Sequence, residues 1–234
     1  MGRIALVLRN IIDIVFPIEC LGCKKEGEWI CEECAQKIPI NSEPYCLGCK
    51  RKTRVGEFCE ECKNNYSLNG IFIASDYDNK IIKKAIKTLK YRFVHNISQE
   101  LAKLLFLFFS RQPDWIKNKS WIIIPVPLHK KRLKWRGFNQ AEKLSQEFIK
   151  HSKLEMDVKN LQRIVHTKSQ AKLNEVMRKK NILNSLSWQG GSLSGKNIIV
   201  VDDVTTTGST LEECAKVLKK AGAETVWGLV VAKG

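Results

Sequence analysis

The spacing of apolar positions divides the chain into three stretches. From Ile4 to Phe16 apolar residues recur at helical spacing, with Ile4, Leu8, Ile11, Ile12 and Val15 on one side, until Pro17 ends the run. Residues 18–66 hold too few apolar positions to build a core by themselves. Beyond residue 67 the pattern alternates between buried-strand runs and amphipathic helices. Ile71–Tyr77, Trp121–Pro125, Asn197–Val201 and Thr225–Ala232 read as strands, with another within Leu154–Ile164. Asn79–Tyr91, Ile97–Phe109, Asn139–His151 and Ser209–Ala221 read as helices, the last ended by Gly222. Gln112–Lys119 reads as a linker, Val126–Gly137 as a basic loop, and Thr167–Leu186 as polar and partly helical. Strand, loop and helix in repetition predict an α/β domain, a parallel sheet flanked by helices, over residues 67–234. An N-terminal helix (1–17) and a separate module (18–66) precede it.

The first apolar segment is interrupted by Arg9 and Asp13 and is shorter than the roughly 20 residues a bilayer requires. It also lacks a small-residue cleavage site. The expectation is a packed helix, no membrane insertion and a cytoplasmic location.

Eight of the nine cysteines fall between residues 20 and 62 as four C-x-x-C pairs: Cys20/Cys23, Cys31/Cys34, Cys46/Cys49 and Cys59/Cys62. Two intervening residues let both thiolates of one tight turn face a single ion, and two such knuckles complete a tetrahedral site. Short gaps favour pairing in chain order, giving two structural zinc ions on Cys20, Cys23, Cys31, Cys34 and on Cys46, Cys49, Cys59, Cys62; a cross-braced pairing is the alternative. A disulfide framework would need an oxidising compartment. Closed four-cysteine sites leave no open position for catalysis. Cys214 stands apart in a helical stretch, as a small buried hydrophobe.

The net charge of +16 is concentrated: residues 80–140 carry 15 Lys and Arg against only Glu100 and Asp114. This field suits phosphate-rich partners, a nucleotide or a nucleic-acid backbone, although solvated lysine faces on helices would also produce it. Residues 1–64 sum to zero and fall to about −4 once two Zn2+ bind eight thiolates, which disfavours the cysteine module as the main grip on DNA.

The segment Asn197–Thr210 carries the most specific chemistry. A strand runs into Asp202 and Asp203, and hydroxyl residues with one glycine then open a helix. Backbone amides at a helix start favour an anion, and Gly208 permits close approach. Thr205, Thr206, Thr207, Ser209 and Thr210 add hydroxyl donors. The acids would repel phosphate, so they suit sugar hydroxyls; the combination describes a ribose phosphate.

Val200–Thr210 resembles the phosphoribosyl pyrophosphate (PRPP) fingerprint of type I phosphoribosyltransferases. Phe16-Pro17 before Cys20, Leu89-Lys90-Tyr91, Pro125-Val126-Pro127-Leu128, Arg136-Gly137-Phe138-Asn139-Gln140, and Arg178 with Asn181 resemble the ComF family of competence proteins across nearly the whole chain. Arg92-Phe93 follows Lys90-Tyr91 where that family leads one to expect Arg-Gly. The resemblance implies a type I phosphoribosyltransferase-like domain behind an N-terminal double zinc ribbon. It implies that Asp202 and Asp203 hold the ribose hydroxyls and act catalytically if turnover occurs, and that residues 205–210 hold the 5′-phosphate. It also implies pyrophosphate on the Pro125–Arg136 stretch, at Arg136, Lys130 and Arg132, bridged by Mg2+. His129 is a surface residue or a proton shuttle. Thr206 stands where purine-salvage relatives carry an acid, which disfavours a purine-base acceptor. The family role implied is handling of single-stranded DNA during natural transformation. Turnover on an unidentified amine or base, and an adaptor that docks a helicase-like competence partner, are the alternatives.

Overall fold

The computed structural model describes residues 17–41, 43–90, 96–165 and 182–234. The expected N-terminal helix, Tyr91–Phe93, most of Thr167–Leu186, Arg178 and Asn181 lie outside these residues. A five-stranded sheet forms the centre: β1 (Gly70–Asp76), β2 (Trp121–Pro125), β3 (Glu155–Met156), β6 (Asn197–Thr205) and β7 (Thr225–Lys233). Its order is β1-β7-β6-β2-β3, with every pair parallel. A separate antiparallel pair joins β4 (Leu161–Arg163) to β5 (Leu186–Trp188).

The strands are apolar on both faces, as a sheet covered on both sides requires. Alternate residues divide between two cores. Phe72, Ile123, Ile199, Val201 and Leu229 face one core, with helices α2 (Lys80–Thr88), α3 (Ile97–Ser110) and α6 (Gln140–Ser152) on that side. Ile71, Ile124, Ile198, Val200 and Val230 face the other, with α7 (Ser209–Lys220). Cys214 is fully buried in this second core, where burial raises its thiol pKa strongly.

The cysteine module belongs to both cores. Its first half, with the short helix α1 (Glu32–Gln36), packs Cys20, Ile30, Cys31, Cys34 and Ile38 into the α2/α3 side. Its second half packs Cys46 and Phe58, with Leu47 and Tyr66 beside them, into the α7 side. Backbone hydrogen bonds fasten the module along the free edge of β1: Ile71 N to Gly56 O (2.9 Å), Phe58 N to Asn69 O (3.0 Å) and Asn41 N to Ala74 O (2.9 Å).

Three expected segments differ. The linker contains a one-turn helix, α4 (Asp114–Lys117), entered through Pro113. The basic loop contains helix α5 (Lys130–Arg136), capped by His129, whose Nδ1 accepts from Lys131 N. The Leu154–Ile164 strand is two short strands, β3 and β4, in different sheets. Among the described residues no helix is long and apolar enough to cross a membrane.

Candidate functional site: a mixed-charge cavity and two cysteine clusters

Strand order locates the cavity. From β2 the chain crosses outward to β3, whereas from β6 it crosses the other way to β7. The carboxyl ends of the adjacent strands β2 and β6 therefore diverge into loops on opposite sides, the place where open parallel sheets bind ligands. A cavity of about 410 Å3 lies there. The β6 end supplies Asp202–Ser209, the β2 end supplies Val126 and Leu128, and Arg132, Arg136, Asn139 and Gln140 complete that side. Tyr77, Lys90, Arg163 and Gly234 close it.

The two acids sit on the strand itself. β6 continues to Thr205, with Asp202 opposite Val230 and Thr205 opposite Lys233 of β7. Asp203 N donates to Asp202 Oδ1 (2.8 Å), and Val204 N to Asp203 Oδ1 (2.9 Å). Asp203 Oδ2 faces the Lys90 ammonium at 3.3 Å. Burial first, and the neighbouring Asp203 second, push the Asp202 carboxyl well above the ordinary aspartate range.

Beyond Thr205 the chain turns through Gly208 at φ +77° into α7. A side chain there would be strained by that backbone angle and crowded against Leu47. Thr207 Oγ1 and Ser209 Oγ are 2.7 Å apart, so the loop hydroxyls are already ordered at the positive end of a helix.

Cations occupy the opposite wall. Arg136 Nη1 donates to Gln140 Oε1 at 2.5 Å, which orients the Gln140 amide; its Nε2 is a buried donor with no hydrogen-bond partner among the described residues. Asn139 ties this wall to the sheet, donating to Val126 O (3.0 Å) while capping α6 at Ala141 N (3.1 Å). Arg163 reaches the cavity from the β4–β5 pair and is 8% exposed. Burial lowers the pKa of both Arg136, which is half-buried, and Arg163. The lining thus sets four cations, Lys90, Arg132, Arg136 and Arg163, against two acids.

Of the expected residues, Asp202, Asp203, Thr205–Thr210, Arg132 and Arg136 line one cavity. Lys130 is exposed at the start of α5 and does not line it. Sequence reasoning assigned no role at the cavity to Lys90 and missed Arg163 and Gln140. Lys90 and Gln140 lay within segments already singled out; Arg163 left only an alternating Leu-Gln-Arg pattern.

The cysteines gather in chain order, Cys20/Cys23/Cys31/Cys34 and Cys46/Cys49/Cys59/Cys62, with the sulfurs of each group within 4.8 Å of one another. The Sγ separations Cys20–Cys31 (3.7 Å), Cys23–Cys31 (3.6 Å) and Cys49–Cys59 (3.5 Å) exceed any disulfide length. Four sulfurs at about 2.3 Å from a tetrahedral Zn2+ would stand about 3.8 Å apart, so the groups fit the ion. The first knuckle of each group has the sequence Cys-Leu-Gly-Cys. A Cβ on Gly22 would come within 2.6 Å of Cys34 Sγ, and one on Gly48 within 3.1 Å of Cys62 Sγ, so glycine leaves room for the facing thiolate.

A parallel sheet with a mixed-charge cavity at its switch point, behind two closed four-sulfur groups, defines a phosphoribosyltransferase-type domain joined to a double zinc ribbon. Family comparison finds both parts: a double zinc ribbon domain over residues 11–63 and a phosphoribosyl transferase domain over residues 133–233. The chain is 33% identical over 232 residues to competence protein F of Haemophilus influenzae, covering 92% of this chain and 97% of that one. It is 27% identical to the DNA utilization protein YhgH of Shigella flexneri, covering 84% and 93%. It is 26% identical to competence protein ComFC of Bacillus subtilis, covering 85% and 81%. The chain belongs to the ComF family of competence proteins.

Proposed function

We propose that the cavity binds PRPP and that the protein uses this site while handling single-stranded DNA in natural transformation. The observation carrying the ligand is the division of charge within one cavity. Asp202 and Asp203 suit the ribose 2′ and 3′ hydroxyls. The 205–210 loop at the start of α7 suits the 5′-phosphate. Arg132, Arg136 and the open Nε2 donor of Gln140 suit the pyrophosphate. Asp202 and Asp203 are the acids that would hold a Mg2+ accompanying the ligand, and the ion would supply positive charge to the pyrophosphate.

DNA is supported by basic surface near the same cavity. Lys83, Lys84 and Lys87 are exposed on α2, and α5 reads Lys-Lys-Arg-Leu-Lys-Trp-Arg with Trp135 75% exposed. Cations track a phosphate backbone and an exposed indole stacks a base.

A second reading is an active phosphoribosyltransferase. Arg132 and Arg136 would stabilise departing pyrophosphate, and the ribose acids would stabilise positive charge developing at C1′. Asp202 and Asp203 are the acids lining the cavity among the described residues, and position 206 is Thr, so the acceptor must be nucleophilic without a third carboxylate as base.

Titrating PRPP with Mg2+ into the zinc-loaded chain tests the ligand: saturable binding is expected, lost when both acids become Asn. Absence of heat in the wild type refutes it. Pyrophosphate release on adding single-stranded DNA or small amines separates catalysis from binding alone.

A further inference from the structure

We infer that the Cys46–Cys49 knuckle is the outer wall of the phosphate loop, with Leu47 a positioning residue for Gly208, whereas the Cys20–Cys23 knuckle of the same sequence is not. The inference rests on the PRPP reading for its ligand but on the fold for its geometry.

The knuckles Cys20-Leu21-Gly22-Cys23 and Cys46-Leu47-Gly48-Cys49 lie on opposite faces of the sheet. Leu21 leans on α2: its carbonyl accepts from Lys84 Nζ at 3.0 Å, and the adjacent Gly22 lies over Ile81. Leu47 instead leans on the turn that begins α7. A Cβ on Gly208 would come within 2.6 Å of Leu47 Cδ2, so the leucine methyl occupies the space that any larger residue at 208 would need. Behind Leu47, the ring of Tyr66 and the Cys62 thiol crowd Gly48, and Phe58 stacks on Tyr66 with centroids 4.0 Å apart.

A second contact anchors the first turn of the same helix to the segment that follows the ribbon. The Glu212 carboxylate, in the first turn of α7, accepts from Ser67 N (2.9 Å) and Leu68 N (3.1 Å), where the ribbon passes into the sheet domain. The loop is therefore held from below by β6 and from outside by a metal-stapled turn. A phosphate enclosed by backbone amides needs those amides fixed before it arrives, because ordering them on binding would cost affinity. Cys46 and Cys49, holding a zinc ion with Cys59 and Cys62, would fix the turn between them; the turn carries Leu47, and Leu47 limits where Gly208 can move.

The matched leucines give an internal control. Leu47→Ala, Leu21→Ala and the conservative Leu47→Met are compared in the full zinc-loaded chain. Zinc content is checked by thiol-reagent release, PRPP and inorganic phosphate are titrated, and hydrogen exchange is read at the 206–210 amides. Leu47→Ala is expected to keep both zinc ions, speed exchange at those amides and weaken PRPP and phosphate tenfold or more. Leu47→Met restores wild-type values, and Leu21→Ala changes neither by more than about twofold. Equal effects of Leu47→Ala and Leu21→Ala, or unchanged amides in Leu47→Ala, overturn the inference. A wild type that ignores PRPP while Leu47→Ala still loosens the amides would refute the ligand and leave the brace standing.

Discussion

Replacing Asp202 by Asn should make the unliganded protein more stable and the liganded one weaker. The carboxyl is half-buried in the cavity wall next to Asp203 on the same strand end, and partial desolvation and the neighbouring acid both raise its pKa. A carboxyl whose pKa is higher folded than unfolded holds its proton more tightly in the native state. Its contribution is then full below the unfolded value, near 3.8, and is lost as pH rises through the folded value. At neutral pH and above, the wild type carries this penalty and Asn does not. Asn retains an Oδ1 to accept the Asp203 amide, now at 2.8 Å, so the local hydrogen bond survives. Each kcal/mol relieved raises Tm by about 2–4 °C in a chain of this size. Binding moves oppositely. A hydrogen bond to a charged acceptor contributes about 1.5–3 kcal/mol, so PRPP should bind roughly 10- to 100-fold more weakly. The assay is thermal unfolding of both proteins from pH 6 to 8.5, with zinc content measured at each pH, and PRPP–Mg2+ titration at pH 7.5. The Tm difference should be positive and grow with pH until Asp202 is fully ionised. A variant less stable than wild type at pH 8, or one that binds PRPP equally well, refutes the reasoning.

Glu212→Ala removes the carboxylate holding the Ser67 and Leu68 amides just after the ribbon; at about 1.5–3 kcal/mol it should lower Tm by about 3–12 °C, read by calorimetry. Arg163→Ala should weaken PRPP at least tenfold while leaving zinc content unchanged, checked by titration and metal analysis, because it withdraws one of four cavity cations. Reversing Lys83, Lys84 and Lys87 to Glu should weaken single-stranded DNA and flatten the plot of log affinity against log salt by about 0.7 for each phosphate that is no longer neutralised; an unchanged slope removes α2 from the DNA surface.

The parts of this fold legible in sequence are those decided locally. Trp121–Pro125 and Val226–Ala232 are unbroken apolar runs, and α6 announces itself by an Asn cap and a 3.6-residue period. β6 runs four residues beyond its apolar stretch because β7 supplies a pairing partner out to Lys233, which no local pattern at Asp202 or Asp203 reveals. The stretch after β2 reads as a loop for its charge, yet Lys, Arg and Leu are good helix formers and His129 supplies a cap. Arg163 is invisible in sequence because its burial depends on Leu161–Arg163 meeting Leu186–Trp188 across a long separation. The cysteine spacing specifies two four-sulfur groups but not what their knuckles touch. That Leu21 meets a helix and Leu47 meets Gly208 follows only from the sheet standing between them.

As a prediction, the seam along β1 gives a metal bound by the cysteine module a part in guarding that edge against aggregation. Strand β1 has β7 on one flank and, on the other, only the backbone of the cysteine module at Asn41, Gly56 and Phe58 among the described residues. Stripping zinc would slacken that covering and leave Ile71, Phe72 and Ile73 on a bare ribbon of unpaired amides and carbonyls, a template for another chain. Chelated protein should consequently cloud and precipitate with strand-rich character, and a truncation beginning at residue 67 should share that fate however well its ligand pocket is composed.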